Sequence, residues 1–257
     1  IEKASFEQEK YPADMKRLWK KTVWLLTLSL MAGTAIPACA QDTESLVRNL
    51  VSGKGGNYLD DQLYISLAYN ILVSTPQDMK TYSFPNTLSL GYIRDIPLNA
   101  RRNIGLGAGI GLSYHQYYSN LAMTRDASGV PQIAMMESDE YKSSRFALQT
   151  LDIPIQVRFR GSTAERYDFW RGYAGVTVSW VIKDYATLNN GTFKVRYYNL
   201  PYLQNWLFTA NLQVGYGKFT LRADYTLNPL FRSSRTGDIP GLGDTRSISL
   251  GLLVYIL

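Results

Sequence analysis

Cysteine and histidine are almost absent from this sequence, whose 257 residues include one of each, Cys39 and His115. A single thiol cannot close a disulfide within the chain, and a zinc site needs several Cys or His ligands. A Ser-His-Asp hydrolase would have to use His115, which lies close to Ser113 and Ser119 in the sequence. The sequence therefore predicts no metal site, no cofactor and no enzymatic activity, with catalysis through His115 as the alternative.

Long apolar runs and blocks of like charge are missing too. The apolar stretch at residues 23–32 is well short of the roughly 20 residues that a membrane-spanning helix needs. The 27 basic and 21 acidic residues give a net charge of +6, without a basic block of the kind that binds nucleic acid. The glycines at 105, 107, 109 and 111 do not match the dinucleotide-binding spacing, whose third glycine follows the second by three residues. We expect no helical membrane span, no nucleic-acid partner and no small-molecule substrate.

A processing signal lies near the start of the chain. Residues 15–21 are rich in lysine and arginine, residues 23–32 are apolar, and residues 38–40 read Ala-Cys-Ala, a cleavage site of small residues around one variable position. This pattern predicts a signal peptide over residues 15–40. The mature chain would begin at Gln41 and contain no cysteine.

The remaining boundaries follow from this signal. Residues 1–14 are polar and precede the predicted start, so they are interpreted as a non-native upstream segment. Residues 41–60 are expected to form a short periplasmic N-terminal segment, and residues 61–257 one β-barrel domain. Lipidation of Cys39 is the alternative to cleavage after residue 40, although Pro37 fits a lipidation motif poorly.

A period of two runs through the rest of the chain. In residues 104–114 the even positions are aliphatic or aromatic, and the odd positions are glycine or serine. Successive side chains of a strand point to opposite faces, so this alternation predicts strands with one apolar and one polar face. Eight such strands are predicted, over residues 62–73, 86–96, 103–118, 147–160, 169–183, 204–216, 218–227 and 245–257.

The connections between these strands are alternately long and short. The gap at 119–146 is an example of a long one, whereas residue 217 alone forms a short one. Outer-membrane barrels have this pattern, with short periplasmic turns, long external loops and girdles of aromatic residues that would account for the 19 tyrosines. We therefore predict an all-β fold: an eight-stranded antiparallel transmembrane β-barrel with an up-and-down meander. It would lie in the outer membrane of a Gram-negative bacterium, surrounded by lipid and lipopolysaccharide, with both termini in the periplasm.

The polar strand faces are expected to fill the barrel interior. An eight-stranded barrel is just wide enough for side chains to occupy its lumen. Charged residues on the predicted inward faces suggest a buried network that blocks conduction, and the glycines of the third strand would leave room for arginines opposite. The predicted lumen network comprises Asp152, Arg158, Arg171, Arg222 and Asp224.

Two local features bear on how the strands face. Pro154 cannot donate a ladder hydrogen bond, so a β-bulge is expected there. In the last strand, composition places the even positions toward lipid, including Leu250 and Leu252, whereas a terminal aromatic-x-apolar pattern at Tyr255 and Leu257 would place the odd ones there. We follow composition and predict that the even positions face lipid.

Three segments resemble a known family, the PorT-like outer-membrane barrels. They are LDIPIQVRFR at 151–160, YDFWRGYAG at 167–175 and YTLNPLF at 225–231, followed by a terminal strand that ends in VYIL. The resemblance spans most of residues 60–257. It implies a non-enzymatic barrel that is required for, or accessory to, type IX protein secretion, a system associated with gliding motility, and that works with other proteins of the secretion machinery.

Two other functions stay open: a small structural or adhesin-type barrel, and an outer-membrane barrel enzyme that acts on lipid or peptide. The segment 225–231 leaves the predicted seventh strand where the last long loop begins. Asn228 and Pro229 favour a turn there. Leu230 and Phe231 are then either part of the loop architecture or an exposed apolar lip that contacts a secretion partner.

Overall fold

The computed structural model describes residues 62–99, 103–126, 128–137, 142–161, 170–217, 219–236 and 239–256. Eight of its strands form a closed antiparallel barrel in which each strand pairs with the next along the chain. The last strand pairs with the first and closes the ring. The barrel strands are β1 (Gln62–Val73), β2 (Asn86–Pro97), β3 (Ile104–Tyr118), β6 (Ser143–Arg160), β7 (Trp170–Asn189), β9 (Trp206–Tyr216), β10 (Phe219–Thr226) and β11 (Arg246–Ile256).

Several predicted segments lie outside these described residues. They are the upstream segment 1–14, the signal peptide 15–40 with Cys39, and the segment 41–60. Within the described residues, no helix is both long and apolar enough to cross a membrane.

The fold class, the number of barrel strands and the meander order were predicted correctly. β1 has the predicted bounds, while β6 begins four residues earlier and β7 ends six residues later than expected. The long connections also contain strands that the sequence pattern did not indicate: β4 (Leu121–Arg125) pairs with β5 (Pro131–Met135), and β8 (Lys194–Tyr198) pairs with the extension of β7. We call the end of the barrel with these connections the long-loop end, and the other the short-turn end.

An apolar belt surrounds the barrel, as the alternation predicted. The outward positions Ile110, Ile153, Val176 and Leu212 are about half exposed, between 46% and 56% of their surface. Such exposure is expected where the solvent is lipid, because the bilayer rather than the protein covers these side chains.

The last strand confirms the composition-based prediction. In β11 the even positions Leu250 and Leu252 are 50% and 54% exposed, whereas Tyr255 is 6% exposed and points into the lumen. The inward tyrosine meets arginine side chains in the lumen, which the terminal pattern alone could not indicate.

The bulge expected at Pro154 is elsewhere. Pro154 pairs with Thr177 in unbroken register, and the register shift between β6 and β7 lies at Gln149/Thr150. On its other edge β6 pairs with β3, and this pairing is interrupted at Pro154. It continues in the same register at Asp152, which pairs with Gly111. Since proline has no N–H to donate, the ladder loses bonds to β3 without gaining an extra residue.

Candidate functional site

At the short-turn end, the lumen holds a cage of arginine and tyrosine. Arg158 is fully buried, and its guanidinium lies 4.4 Å from the ring centroid of Tyr173 and 5.5 Å from that of Tyr255. Its Nη1 donates to Gln62 Oε1 at 3.1 Å, and Arg171 lies 5.5 Å from the Tyr255 ring. Aromatic faces therefore stabilise both arginines, and an amide oxygen also stabilises Arg158.

Glycines on the neighbouring strands leave the room that these side chains need. A Cβ at Gly107 would lie 2.6 Å from Arg158 Nε, and one at Gly91 would lie 2.6 Å from the Tyr64 hydroxyl. Both distances are far below ordinary contact between heavy atoms. The prediction that glycines of the third strand make space for an arginine is confirmed at Gly107.

Nearer the long-loop end, the lumen contains an ion pair beside a small cavity. Arg222 Nε donates to Asp224 Oδ1 at 2.9 Å and lies 2.7 Å from Oδ2. The Asp152 carboxylate accepts a hydrogen bond from Ser113 and lines the same cavity, whose volume is about 30 Å³. A space of that size holds about two water molecules.

The five residues of the predicted network all face the interior, but they form two groups. Asp152, Arg222 and Asp224 line the cavity, and Arg158 and Arg171 belong to the cage. The pair Arg222–Asp224 is the direct salt bridge among them. Arg158 instead uses amide and aromatic partners.

A second ion pair was missed in the sequence. Asp95 of β2 contacts Arg160 of β6 near the short-turn end, and both side chains are largely buried. The alternation that places Leu88 and Leu90 outward also places Asp95 inward, and the same count along β6 places Arg160 inward. This pattern could have identified both residues, although not their pairing.

The geometry around His115 differs from that of a hydrolase triad. Its ring Nδ1 lies 2.8 Å from Thr87 Oγ1, and its Nε2 lies 3.4 Å from Thr150 Oγ1. The Ser113 hydroxyl donates directly to Asp152. In a triad the histidine lies between the serine and the carboxylate. These side chains are near one another but not in that order.

The long connections fold into a packed cap on the long-loop end. Phe146 lies at its centre, with ring centroids 4.9 Å from Tyr117 and 5.5 Å from Phe231. Burial of each large apolar side chain stabilises the fold by roughly 1.5–3 kcal/mol, so the cap is a second core rather than a set of loose loops. Its buried residues are Met79, Tyr117, Leu121, Met123, Phe146, Leu148, Ala186, Leu200, Tyr202, Leu203, Leu207, Leu230, Phe231 and Leu242.

The cap corrects the expectation of an exposed apolar lip. Leu230 is 1% exposed and Phe231 is fully buried. The Leu230 backbone N–H donates to Thr245 O, and Phe231 forms an isolated β-bridge with Leu203. The two side chains hold the last connection in the cap and are not available as a docking surface.

Polar side chains tie the connections of the cap together. Asn120 Nδ2 donates to Asp78 O at 2.9 Å and to Met136 O at 3.3 Å, which joins the β1–β2 connection to the β4–β5 hairpin. The Asp184 carboxylate accepts from the Leu200 backbone N–H, and burial raises the pKa of Asp184 above its ordinary value.

On the outward face just beyond the apolar belt, two exposed cations lie against tyrosine rings. The Lys183 ammonium lies 5.3 Å from the Tyr198 ring centroid, and the Arg196 guanidinium lies 4.7 Å from that of Tyr185. The Tyr185 hydroxyl is hydrogen-bonded to that of Tyr114. We call these five residues the aromatic–basic rim.

Comparison with known proteins gives a family. A family model described as outer membrane protein beta-barrel domain matches residues 39–232. No curated protein matches. Two solved structures of Ail, the attachment invasion locus protein of Yersinia pestis, align with 13% identity over 76% of this chain. One covers 96% of the Ail chain with a TM-score of 0.34; the other, in complex with the heparin analogue sucrose octasulfate, covers 97% with a TM-score of 0.31.

Proposed function

We propose that this chain, which belongs to the outer membrane protein β-barrel family and is an outer-membrane barrel, serves type IX protein secretion as a non-enzymatic component of the PorT-like kind. The long-loop end faces outside the cell, and the termini are periplasmic. Its partners are the surrounding lipid and lipopolysaccharide and other proteins of the secretion machinery.

The segment 225–231 is the observation on which this proposal depends. Its sequence resembles that of PorT-like barrels, and its residues have specific bonds in the structure. Asn228 Oδ1 accepts from the Phe208 backbone N–H at 2.8 Å, and Asn228 Nδ2 donates to Trp206 O at 2.9 Å. With the buried Leu230 and Phe231, the segment fixes β9 and β10 to the cap. A chain that shares this sequence is expected to share this cap.

The dimensions of the lumen limit the role that the barrel can have in secretion. Buried side chains such as Arg158 and Tyr173 fill the lumen, and the cavity beside the ion pair, about 30 Å³ in volume, cannot admit a polypeptide. The barrel is therefore not the conduit for the secreted protein, and it acts through its surfaces, as an assembly or docking component. We expect no large single-channel currents from the purified protein in planar bilayers.

Deletion of the gene and complementation with variants test the role in secretion. Deletion should abolish release of type IX cargo, and the wild-type chain and His115→Ala should both restore it. Normal cargo release from the deletion strain would contradict the proposal. Loss of release with His115→Ala, at a normal level of folded barrel, would instead favour the enzymatic alternative.

Cysteine labelling tests the orientation separately. Ser128→Cys in the β4–β5 hairpin and Gly161→Cys at the short-turn end are both exposed positions. A membrane-impermeant maleimide should label the first on intact cells and the second only after the outer membrane is permeabilised. The reverse pattern would contradict the proposed orientation.

A structural or adhesive role is the second candidate, and two exposed side chains favour it. Val130 and Phe193 lie at the tips of the β4–β5 and β7–β8 hairpins and are 55% and 54% exposed. Apolar side chains at the tips of external loops are suited to contact another surface. If Val130→Ser with Phe193→Ser reduced adhesion while deletion left cargo release normal, this role would replace the secretion role.

A further inference from the structure

The aromatic–basic rim arises from the register shift between β6 and β7. Gln149 pairs with Lys183 and Thr150 pairs with Val181, so Ile182 is an extra residue on β7. Up to Ile182 the even positions of β7 face lipid, and beyond it the odd positions face outward. This change places the exposed Lys183 on the outer surface and Tyr185, which is 7% exposed, beneath the Arg196 guanidinium. The bulge thereby ends the apolar face of β7, and the first outward side chain beyond it is a cation.

The rim lies at a defined depth. Trp180 and Trp206 stack with ring centroids 6.2 Å apart and are 47% and 50% exposed, as expected of an aromatic girdle at the bilayer interface. Lys183 follows Trp180 by three residues, about 10 Å along an extended strand and less along the membrane normal because barrel strands are tilted. This is the depth at which lipid headgroups begin.

The rim cations are held in place and share their surface with few carboxylates. Arg196 Nε donates to Thr187 Oγ1 at 3.3 Å while its guanidinium lies over Tyr185. Strands β3, β6, β7 and β8 contain two carboxylates between them. Asp152 faces the lumen, and Asp184 accepts from a backbone N–H of the cap.

We propose that Lys183 and Arg196, supported by Tyr198 and Tyr185, bind a phosphate group of a phosphorylated glycolipid in the outer leaflet. An arginine fork can grip phosphate with two parallel hydrogen bonds, and a lysine adds a point charge on a long stem. The tyrosine rings restrict both side chains before the lipid arrives, so less side-chain entropy is lost on binding. The assignment of the leaflet rests on the orientation given in the proposed function, whereas phosphate recognition does not.

Lipid binding by the folded mature chain in detergent tests this site. The probes are diphosphorylated lipid A, the same lipid after removal of both phosphates, and inorganic phosphate. Native mass spectrometry gives bound lipid, and tryptophan fluorescence gives a titration curve. The wild type should bind the phosphorylated lipid at least about tenfold more tightly than the dephosphorylated one, because charge-assisted contacts are lost with the phosphates.

Matched variants identify the residues. Lys183→Gln with Arg196→Gln should bind the phosphorylated lipid about tenfold more weakly or worse. Lys80→Gln, which removes an exposed cation of the β1–β2 connection at the same end of the barrel, should bind like the wild type. Arg196→Lys, which keeps the charge, serves as the second variant if the double variant does not fold, and it should bind more weakly than the wild type because the fork is lost.

Three outcomes would overturn the proposal: equal binding of both lipids by the wild type, unchanged binding by the variants, or binding of inorganic phosphate as tight as that of the lipid. All are measured in detergent and do not depend on secretion or orientation. A negative result therefore leaves the cargo-release and labelling experiments to decide the proposed function on their own.

Discussion

Gly107→Ala tests the account of how the lumen is packed. The added Cβ would lie 2.6 Å from Arg158 Nε, 3.0 Å from its Cδ and 3.2 Å from its Cζ. These atoms belong to the middle of a fully buried side chain, which is fixed by Gln62 Oε1 at 3.1 Å and by the Tyr173 ring at 4.4 Å. Arg158 cannot move aside without breaking those contacts. Overpacking of this kind costs about 1–3 kcal/mol.

Gly172→Ala is the matched control on the outside of the barrel. A Cβ there has no atom within 4 Å, so alanine should stabilise the strand by about 0.5–1 kcal/mol. Denaturant unfolding of the barrel from lipid vesicles, followed by tryptophan fluorescence, gives both free energies. In an Arg158→Ala background the cost of Gly107→Ala should vanish or change sign, which a double-mutant cycle measures directly. Equal effects of the two alanines, or no coupling to Arg158, would refute the argument.

The lipid-facing belt, the lumen ion pair and the cap carboxylate each give a further prediction. Val176→Arg should lower the free energy of unfolding from vesicles by about 2–4 kcal/mol. Thr177→Ser, on the lumen face, should change this free energy little. Similar effects of the two substitutions would refute the assignment of faces. Arg222→Ala should cost about 3–5 kcal/mol because Asp224 is left uncompensated, and an unchanged melting temperature would contradict the buried pair. The pKa of Asp184 is higher in the folded state than in the unfolded state, so the folded state holds the proton more tightly. The protonated carboxyl therefore favours folding at pH values below the pKa of the unfolded state, and this stabilisation is lost as the pH rises through the pKa of the folded state. Asp184→Asn should therefore stabilise the cap at neutral pH and not in acid, and a pH-independent difference in melting temperature would contradict this.

Barrel topology could be predicted from the sequence because the bilayer requires an apolar side chain at each lipid-facing position of a strand. Only alternate positions face lipid, so Leu88 and Leu90 on one strand or Leu250 and Leu252 on another identify the outer face without knowledge of any partner. Alternately long and short gaps then give the meander. The same alternation placed Arg158 and Arg222 in the lumen.

Partners across the lumen could not be predicted, because they depend on closure and not on local pattern. Arg158 and Tyr255 are 97 positions apart and lie on strands that are not neighbours in the ring. Their contact depends on the stagger of all eight strands. The charges on the inward faces therefore suggested salt bridges, but Arg158 instead lies between the rings of Tyr173 and Tyr255.

The cap was missed for a different reason. Many of its residues come from connections such as 119–142, which have no period of two, and each connection contributes only a few apolar side chains. The others lie at the ends of barrel strands. Met79, Leu121 and Phe231 are unremarkable in their own segments and form a core only when four connections meet. The surplus length of β6 and β7, which provide one wall of this core, is visible only once their pairing is known.

The buried position of Leu230 and Phe231 changes how a mutant with impaired secretion has to be interpreted. Serine at either position removes an apolar contact from the cap core and exposes its neighbours, so loss of cargo release would follow from a disordered cap as readily as from a lost partner. Variants at the surface separate these causes. Phe193 at a hairpin tip and Lys183 on the aromatic–basic rim are exposed, and their replacement leaves the buried residues of the cap in place. If secretion depends on a contact made by the cap, release should fall with surface variants whose melting temperature equals that of the wild type. If release falls only with variants that also lower the melting temperature, the cap serves the stability of the barrel, and the partner binds at another surface.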